Sequence, residues 1–150
     1  MGRLTEILSL AQDRARELQL PYEGALTPRE AYEVLQSAPG AALVDIRTRA
    51  ELDFVGRIPN AVEIEWQSYP GYPLNAHFLT QLRQQVNPES LVMFICRSGK
   101  RSHWAAAAAT QAGFPDCYNV LEGFEGDRDA HEHRGKLGGW RVAGLPWRQS

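Results

Sequence analysis

The segment LVMFICRSGKRS, residues 91–102, contains the pattern from which the rest of the chain can be interpreted. Its first five residues are apolar and rich in strand formers, which predicts a buried strand over residues 91–95. Cys96 follows directly, then a short polar loop. The alanine-rich residues 104–112 predict a helix after the loop. A buried strand that ends in cysteine, ahead of a loop and a helix N-terminus, is typical of a site that holds a thiolate.

The composition of the loop after Cys96 favours a reactive cysteine. Its three cations are Arg97, Lys100 and Arg101. Cysteine reacts as its thiolate, which helix N-termini and nearby cations stabilise. Gly99 allows a tight or left-handed turn, so that the amides of the loop can surround the sulfur. The same arrangement would bind a small anion. We therefore expect Cys96 to be a nucleophile, although most free cysteines are inert core residues.

The size and composition of the chain indicate one ordinary globular domain over residues 1–150. The chain is 43% hydrophobic and 23% charged, with a net charge of −2, so no basic field predicts binding to nucleic acid or an anionic membrane. No apolar run approaches the ~20 residues of a membrane span, and the charges in residues 1–20 argue against a signal peptide. The two cysteines, Cys96 and Cys117, form no disulfide framework, which favours a cytoplasmic location.

Helical patterns recur along the chain. Residues 1–20 have apolar side chains at helical spacing, and Pro21 ends this N-terminal extension. Thr27-Pro28-Arg29-Glu30 is a capping box that predicts a helix over residues 28–37, and Thr48-Arg49-Ala50-Glu51 predicts a second, short helix towards residue 54. Asn75 is expected to cap another helix, which ends before Asn87-Pro88.

Short apolar segments alternate with these helices and predict strands over residues 41–46, 61–65, 91–95 and 117–121. Alternation of this kind predicts an α/β fold with a largely parallel sheet. Functional sites in such folds lie at the carboxyl ends of the strands. Cys96, Asp45 and Arg47 all follow or end a predicted strand, so we expect them at the same edge of the sheet.

Three stretches, in order, resemble the rhodanese family. CRSGKR (residues 96–101) resembles the family's active-site loop, Cys-Arg-x-Gly-x followed by Arg or Thr. VDIRTRAELDFVGRIPNAVEI (residues 44–64) is similar to its first signature, with Asp-x-Arg, a downstream Glu and a Gly-His-Ile-Pro-Gly-Ala turn. Residues 139–140 (GW) and 143–146 (AGLP) resemble its C-terminal ending. Together these motifs cover most of one catalytic-type, single-domain rhodanese.

The resemblance implies a five-stranded parallel sheet with helices on both faces, and a thiosulfate sulfurtransferase activity. Cys96 would attack the outer sulfur of a donor such as thiosulfate, release sulfite and hold a persulfide until a thiol or cyanide acceptor collects the sulfur. No metal or organic cofactor is implied. The substrate-binding residues would be Arg97, Ser98, Gly99, Lys100, Arg101 and Ser102. Asp45 and Arg47 would support the loop by hydrogen bonds and ion pairing.

The chain departs from the family pattern at two places. Arg57 replaces the usual His and Asn60 the usual Gly, both in a turn that we interpret as structural. Residues 124–138, FEGDRDAHEHRGKLG, lie between Gly123 and Trp140. Members of the family usually have only a few residues between the corresponding Gly and Trp. This insertion follows the carboxyl end of a strand, so we expect it beside the Cys96 loop. It is either a lid or acceptor-docking loop, or a tolerated surface insertion.

Two other functions remain open at this stage. A cysteine-dependent phosphatase or arsenate reductase would share the anion-binding loop, but its Cys-x5-Arg pattern requires Arg at the position of Ser102. The last loop arginine here is Arg101, one residue earlier. Alternatively, the domain accepts a persulfide from a partner protein and passes it to another.

Several other residues have simpler interpretations than a role in the chemistry. His131 and His133 lack further convergent ligands, so we predict no metal site. Cys117 lies within an apolar strand, which favours a core thiol over a partner that resolves oxidised Cys96. His103 is a candidate base, but a thiolate that the loop already stabilises needs none. Aromatic residues of the loop after the second strand are candidates for one wall of the site; they are Trp66, Tyr69 and Tyr72.

Overall fold

The structure, a computed structural model, describes residues 2–149; residues 1 and 150 of the expected domain lie outside the described residues. The helices in this range are α1 (Arg3–Leu18), α2 (Pro28–Ser37), α3 (Arg49–Phe54), α4 (Phe78–Gln85) and α5 (Lys100–Gln111). The strands are β1 (Gly24–Leu26), β2 (Ala42–Asp45), β3 (Val62–Glu63), β4 (Val92–Ile95) and β5 (Cys117–Val120).

The strands form one parallel sheet in the order β1-β5-β4-β2-β3 within residues 2–149. β4 lies in the middle and pairs with β2 and β5, which explains why all four of its residues are buried. Its side chains alternate between two cores. Val92 and Phe94 face α4 and α5, whereas Met93 and Ile95 face α1 and α2. The expected five-stranded parallel sheet with helices on both faces is confirmed.

The capping boxes determine two helix starts. Thr27 Oγ1 accepts a hydrogen bond from the amide of Glu30, whose carboxylate accepts one from the amide of Thr27. Thr48 and Glu51 repeat this arrangement at the start of α3. Both boxes satisfy amides that a helix N-terminus leaves without partners. The bounds of α2 match the predicted residues 28–37 for this reason.

The N-terminal helix is part of the domain core. Ile7 and Ala11 of α1 are buried in the cluster that also contains Tyr118 of β5. Arg14 forms two hydrogen bonds with the Glu30 carboxylate, at 2.6 and 2.9 Å, and a third with the carbonyl of Ala25. The extension therefore connects α2 to β1 as well as covering one face of the sheet.

Three details differ from the sequence-based expectation. β1 was not predicted, because three residues are too few for a period to be visible; it is held by α1 and by its pairing with β5. α4 begins at Phe78 because the side chain of Asn75 accepts from the His77 amide but also binds Glu65 and Gln81. The third difference concerns α5, which begins at Lys100, four residues before the alanine-rich stretch.

Within residues 2–149, no helix combines the length and the apolar character that crossing a membrane requires.

A buried ion pair lies at the end of β2. The side chains of Asp45 and Arg47 have no exposed surface. Arg47 Nε is 3.0 Å from Asp45 Oδ1 and Nη2 is 2.8 Å from Oδ2, and Nη2 also donates to the carbonyl of Gly56 at 2.9 Å. The guanidinium lies over the ring of Phe124 at 4.1 Å from its centroid. This pair connects β2, the turn after α3 and the start of the insertion.

We predict that Asp45→Ala lowers the free energy of unfolding by about 3–5 kcal/mol, because it leaves the Arg47 cation buried without its partner. Urea denaturation measures this loss. The matched control is Glu33→Ala, which breaks the exposed pair with Arg3 and should cost about 0–1 kcal/mol. Equal losses in the two variants would contradict a structural role for the buried pair.

Candidate functional site

Cys96 lies where β4 ends, with only 1% of its surface exposed. Its Sγ accepts a hydrogen bond from the amide of Gly99 at 3.1 Å and lies 3.2 Å from Ser102 Oγ. Gly99 is the N-cap of α5 and has φ 98°, a left-handed conformation that favours glycine. The turn at Gly99 therefore directs a backbone N–H at the sulfur, at the positive end of α5.

The turn after β5 packs directly on the Cys96 loop. The amide of Phe124 donates to the carbonyl of Cys96 at 2.8 Å, and the amide of Glu125 donates to that of Arg97 at 2.9 Å. A Cβ on Gly123 would lie 2.6 Å from the Cys96 carbonyl oxygen, so only glycine allows this approach. Backbone that follows β5 thus holds the end of β4 and Cys96 in place.

Arg101 is bound to a carboxylate, whereas the sequence suggested a cation available to substrate. Its two terminal nitrogens each lie 2.8 Å from an oxygen of Glu51. Burial by itself would lower the pKa of Arg101, but the hydrogen bonds and charge of Glu51 raise it, with a further contribution from the charge of Cys96. Arg101 therefore connects α5 to α3 and brings a positive charge close to the sulfur.

Glu51 is a site residue that the sequence indicated only through its capping box. Burial would raise the pKa of its carboxyl, but the hydrogen bonds and charge of Arg101, together with bonds from Thr48, lower it to about 2. Glu51 is therefore ionised throughout the neutral range. It caps α3 and anchors the Cys96 loop at the same time.

The other loop cations differ in exposure. Lys100 is exposed and lines a charged recess with Asp127, Arg128 and other residues of the insertion. Arg97 is half-buried, and its Nε has no hydrogen-bond partner within the described residues. Ser98 is also half-buried. Of the three cations, Lys100 is thus the one most accessible to solvent.

Asn119 is a site residue that sequence reasoning missed. Ser102 Oγ, already beside the sulfur, donates to Asn119 Oδ1 at 2.6 Å, and Asn119 Nδ2 donates to the carbonyl of Gly99 at 3.1 Å. Asn119 is 3% exposed and lies on β5, in register with Phe94 of β4. The sequence signal that could have identified it is an amide side chain within a strand predicted to be buried. A buried polar group needs hydrogen-bond partners, so such a residue is expected to bind its neighbours.

Asp45 and Arg47 lie near the loop but do not bind it directly. Among residues 2–149, neither side chain forms a hydrogen bond with residues 96–102. Their connection passes through Phe124, whose ring packs on Arg47 and whose amide binds the carbonyl of Cys96. The pair thus bears on the position of the sulfur through one intervening residue.

Cys117 is too far from Cys96 to resolve it. In the sheet Cys117 pairs with Val92, four residues before Cys96, so the two thiols are separated by about 13 Å along the strand direction. A disulfide requires Cα atoms within about 7 Å. Burial raises the pKa of the Cys117 thiol to about 11, and its Sγ lies 3.4 Å from the carbonyl oxygen of Phe114. It is a core thiol.

His103 has a side-chain partner, whereas His131 and His133 are bound only through their backbone amides. His103 Nδ1 lies 2.8 Å from the hydroxyl of Tyr22, whose pKa burial raises to about 12. The backbone amides of His131 and His133 both donate to Asp129, and both side chains are exposed. Residues 2–149 contain no group of three or more side chains placed to hold a metal ion.

The two departures in the turn after α3 have local explanations. Arg57 pairs with Asp53 at 2.6 Å, and its backbone bridges to that of Arg148. Asn60 has φ 67°, a left-handed conformation that asparagine tolerates better than most residues. In the aromatic loop, Trp66 packs against Phe78, and Tyr69 and Tyr72 contact each other.

Comparison with known proteins identifies relatives of this chain. The Rhodanese-like domain family matches residues 27–130. An uncharacterized protein of Rickettsia rickettsii is 36% identical over 120 residues, which is 79% of this chain and 91% of that protein. The homologue of Rickettsia prowazekii is 33% identical over the same length.

Two solved structures are also similar. The crystal structure of Rv0390 from M. tuberculosis is 47% identical, with a TM-score of 0.79 over 86% of this chain and 99% of that one. The polysulfide-sulfur transferase homodimer from Wolinella succinogenes is 20% identical, with a TM-score of 0.60 over 100% of this chain and 95% of that one. At that identity the second similarity concerns the fold alone.

We predict that Glu51 makes the stability of the protein pH-dependent below neutrality. Its folded pKa of about 2 lies below the ordinary 4.5, so its contribution is complete above about pH 4.5 and is lost as the pH falls towards 2. The loss should be about 2 kcal/mol, allowing for partial contact with water. Urea denaturation between pH 7 and pH 3 measures it.

The Glu51→Gln variant should lose this part of the pH dependence, whereas the exposed Glu89→Gln should not. A Glu51→Gln variant with the same pH profile as the wild type would show that Glu51 is not the responsible group.

Proposed function

Since the chain belongs to the Rhodanese-like domain family, we propose that it is a sulfurtransferase that carries a sulfane sulfur as a persulfide on Cys96. The observation that carries this proposal is the position of the Cys96 sulfur, bound by the Gly99 amide at the N-terminus of α5. Such a position favours a thiolate and, after the first step, a persulfide anion.

The proposed reaction has two displacements. The Cys96 thiolate attacks the outer sulfur of a thiosulfate-like donor; a sulfur–sulfur bond forms to Cys96 while the bond to the inner sulfur breaks, and its electron pair leaves with sulfite. A thiolate or cyanide then attacks the terminal sulfur of the persulfide, and the electron pair of the cleaved bond returns to Cys96. Charge balances in both steps, and no metal or organic cofactor takes part.

The loop residues would have separate roles in this reaction. Amides of the segment from Ser98 to Ser102 would stabilise the terminal sulfur of the persulfide. Lys100 and Arg97 would attract the anionic donor. Arg101, held by Glu51, would contribute its charge from a fixed position. The proposed compartment is a reducing cytoplasm, where Cys96 stays free to react.

Two alternatives are less well supported by the site. A phosphatase needs an arginine that binds the phosphate, but both terminal nitrogens of Arg101 are already bound to Glu51. The next residue is Ser102, which is fully buried and is not an arginine. A persulfide carrier for a partner protein would use the same sulfur. The 1% exposure of Cys96 favours a small donor, since a protein thiol would have to enter the loop to reach it.

We also propose that the insertion, residues 124–138, contacts the donor or the acceptor. Its first residues bind the carbonyls of Cys96 and Arg97, and its charged residues lie beside Lys100. Phe124 at its base is completely buried, whereas most of residues 127–134 at the tip, together with residues 136 and 137, are exposed and available for contact with substrates.

Incubation with thiosulfate should add about 32 Da to the protein, the mass of one sulfur atom held as a persulfide. Mass spectrometry should place this addition on Cys96, and cyanide or a thiol should remove it. Cys96→Ser should lower thiocyanate formation by at least about a thousandfold, the scale on which loss of a covalent nucleophile acts.

Cys117→Ser is the control and should keep both the addition and the activity. Release of phosphate from an aryl phosphate, without any sulfur addition, would overturn the assignment. Slow reaction with thiosulfate together with fast transfer from a partner persulfide would identify a carrier instead.

Replacing residues 127–134 by two glycines tests the insertion while it keeps Phe124 and Gly126. The hydrogen bond from the Gly135 amide to the Glu125 carbonyl shows that the two sides are close enough for this short connection. We expect the KM for donor or acceptor to change several-fold, with the rate of Cys96 alkylation unchanged. Unchanged donor and acceptor kinetics would contradict the proposal.

A further inference from the structure

The hydroxyl of Ser102 has two neighbours that could take its one hydrogen. Cys96 Sγ lies 3.2 Å away and Asn119 Oδ1 lies 2.6 Å away. A serine hydroxyl donates one hydrogen bond and can accept two. Whichever neighbour receives the hydrogen, the other faces a lone pair of the Ser102 oxygen. The direction of this hydroxyl therefore determines whether Ser102 favours the thiol or the thiolate.

The orientation of Asn119 settles this direction. The carbonyl oxygen of Gly99 can only accept, so the group of Asn119 that lies 3.1 Å from it must be the NH₂. Asn119 Oδ1 therefore faces Ser102, and as an amide oxygen it can only accept as well. At 2.6 Å the hydroxyl hydrogen of Ser102 must lie on this contact, because two lone pairs would repel each other there.

We infer that Asn119 is a positioning residue that holds the Ser102 hydroxyl hydrogen away from Cys96. When Cys96 is a thiol, it donates to Ser102, which donates to Asn119, which donates to the carbonyl of Gly99. When the thiol ionises, its proton leaves to water, and Ser102 can stabilise the thiolate only by giving up Asn119. The inference rests on the proposed function only in taking Cys96 as the reacting group.

The second hydrogen bond of Asn119 gives it an opposite effect on the same sulfur. By holding the Gly99 carbonyl, Asn119 stabilises the turn that directs the Gly99 amide at Cys96 Sγ. Ser102 thus favours the thiol, while the Gly99 amide favours the thiolate. The Asn119 side chain binds both residues, through the Ser102 hydroxyl and the Gly99 carbonyl. Asn119 lies on β5 and the sulfur at the end of β4, so this device spans two strands and α5.

The charged groups near the sulfur are unchanged in the variants below. From α5 and its loop these are Arg101, Lys100 and Arg97; from α3, Glu51; from β2 and the residues after it, Asp45 and Arg47. His103 and Tyr22 bind each other beside the loop. Differences between the variants therefore report on Ser102 and Asn119.

The test is the pH dependence of Cys96 alkylation by iodoacetamide, in a Cys117→Ser background. Ser102→Ala removes an oxygen that accepts from the thiol, so the midpoint of the rate profile should move to lower pH. Asn119→Leu, which has a similar shape and excludes water, should free Ser102 to donate to the thiolate and move the midpoint lower by about one pH unit. In the double variant only the loss of the Gly99 contact remains, so Asn119→Leu should no longer lower the midpoint, which should lie at or above that of Ser102→Ala alone.

A midpoint that moves to higher pH in Ser102→Ala would overturn the inference, since Ser102 would then donate to the sulfur in the wild type. An Asn119→Leu shift that persists unchanged in the double variant would also overturn it, because Asn119 would not act through Ser102. Thr110→Ala, which removes a hydroxyl bound within the same helix, is the matched control and should leave the profile unchanged.

Asn119→Asp gives an independent measurement if the leucine variant unfolds. The aspartate keeps an acceptor facing Ser102 but adds a negative charge near the sulfur, so the informative comparison is made within this background. Adding Ser102→Ala to Asn119→Asp should move the midpoint to lower pH, and a move to higher pH would contradict the inference. Alkylation needs no sulfur transfer. The predicted signs with no persulfide on thiosulfate would therefore reject the proposed function alone, whereas a persulfide with the wrong signs would reject this inference alone.

Discussion

The hydrogen bond from the Gly99 amide to the sulfur of Cys96 is the contact on which the arrangement of the site depends. It requires Cys96 to follow β4 directly and α5 to begin four residues later, at Lys100. Only a left-handed residue makes so abrupt a junction, which is why Gly99 is its N-cap. The central place of β4 in the sheet then buries the sulfur under the exits of β2 and β5.

The polar contacts around this junction hold different residues of the loop in place. Glu51 binds Arg101 and so fixes the first turn of α5 against α3, while Asn119 binds both Ser102 and the Gly99 carbonyl. Removing one partner of a pair as little exposed as Glu51 and Arg101 costs more than removing one partner of an exposed pair, which is worth about 0–1 kcal/mol. The proposed nucleophile needs such a fixed environment, because the reactivity of a thiolate depends on the direction of each hydrogen bond it receives.

Much of the fold could be predicted because its signals are local. The capping box at Thr27 and Glu30 determines where α2 begins, and the apolar run before Cys96 predicts β4. β1 could not be predicted, since its three residues form a strand only through pairing with β5. The start of α5 was placed too late because polar residues 100–103 have weak helical signals, and it is Gly99 that sets the N-terminus.

For the site, the sequence by itself determined which residue types are present and their order: a cysteine at a strand end, then a glycine and three cations. The tertiary structure decided which partner each has. Arg101 meets Glu51, 50 residues away, and Ser102 meets Asn119, 17 residues away. Hydrogen bonds over such separations depend on how α3, α5 and β5 pack together, and no local pattern records that packing.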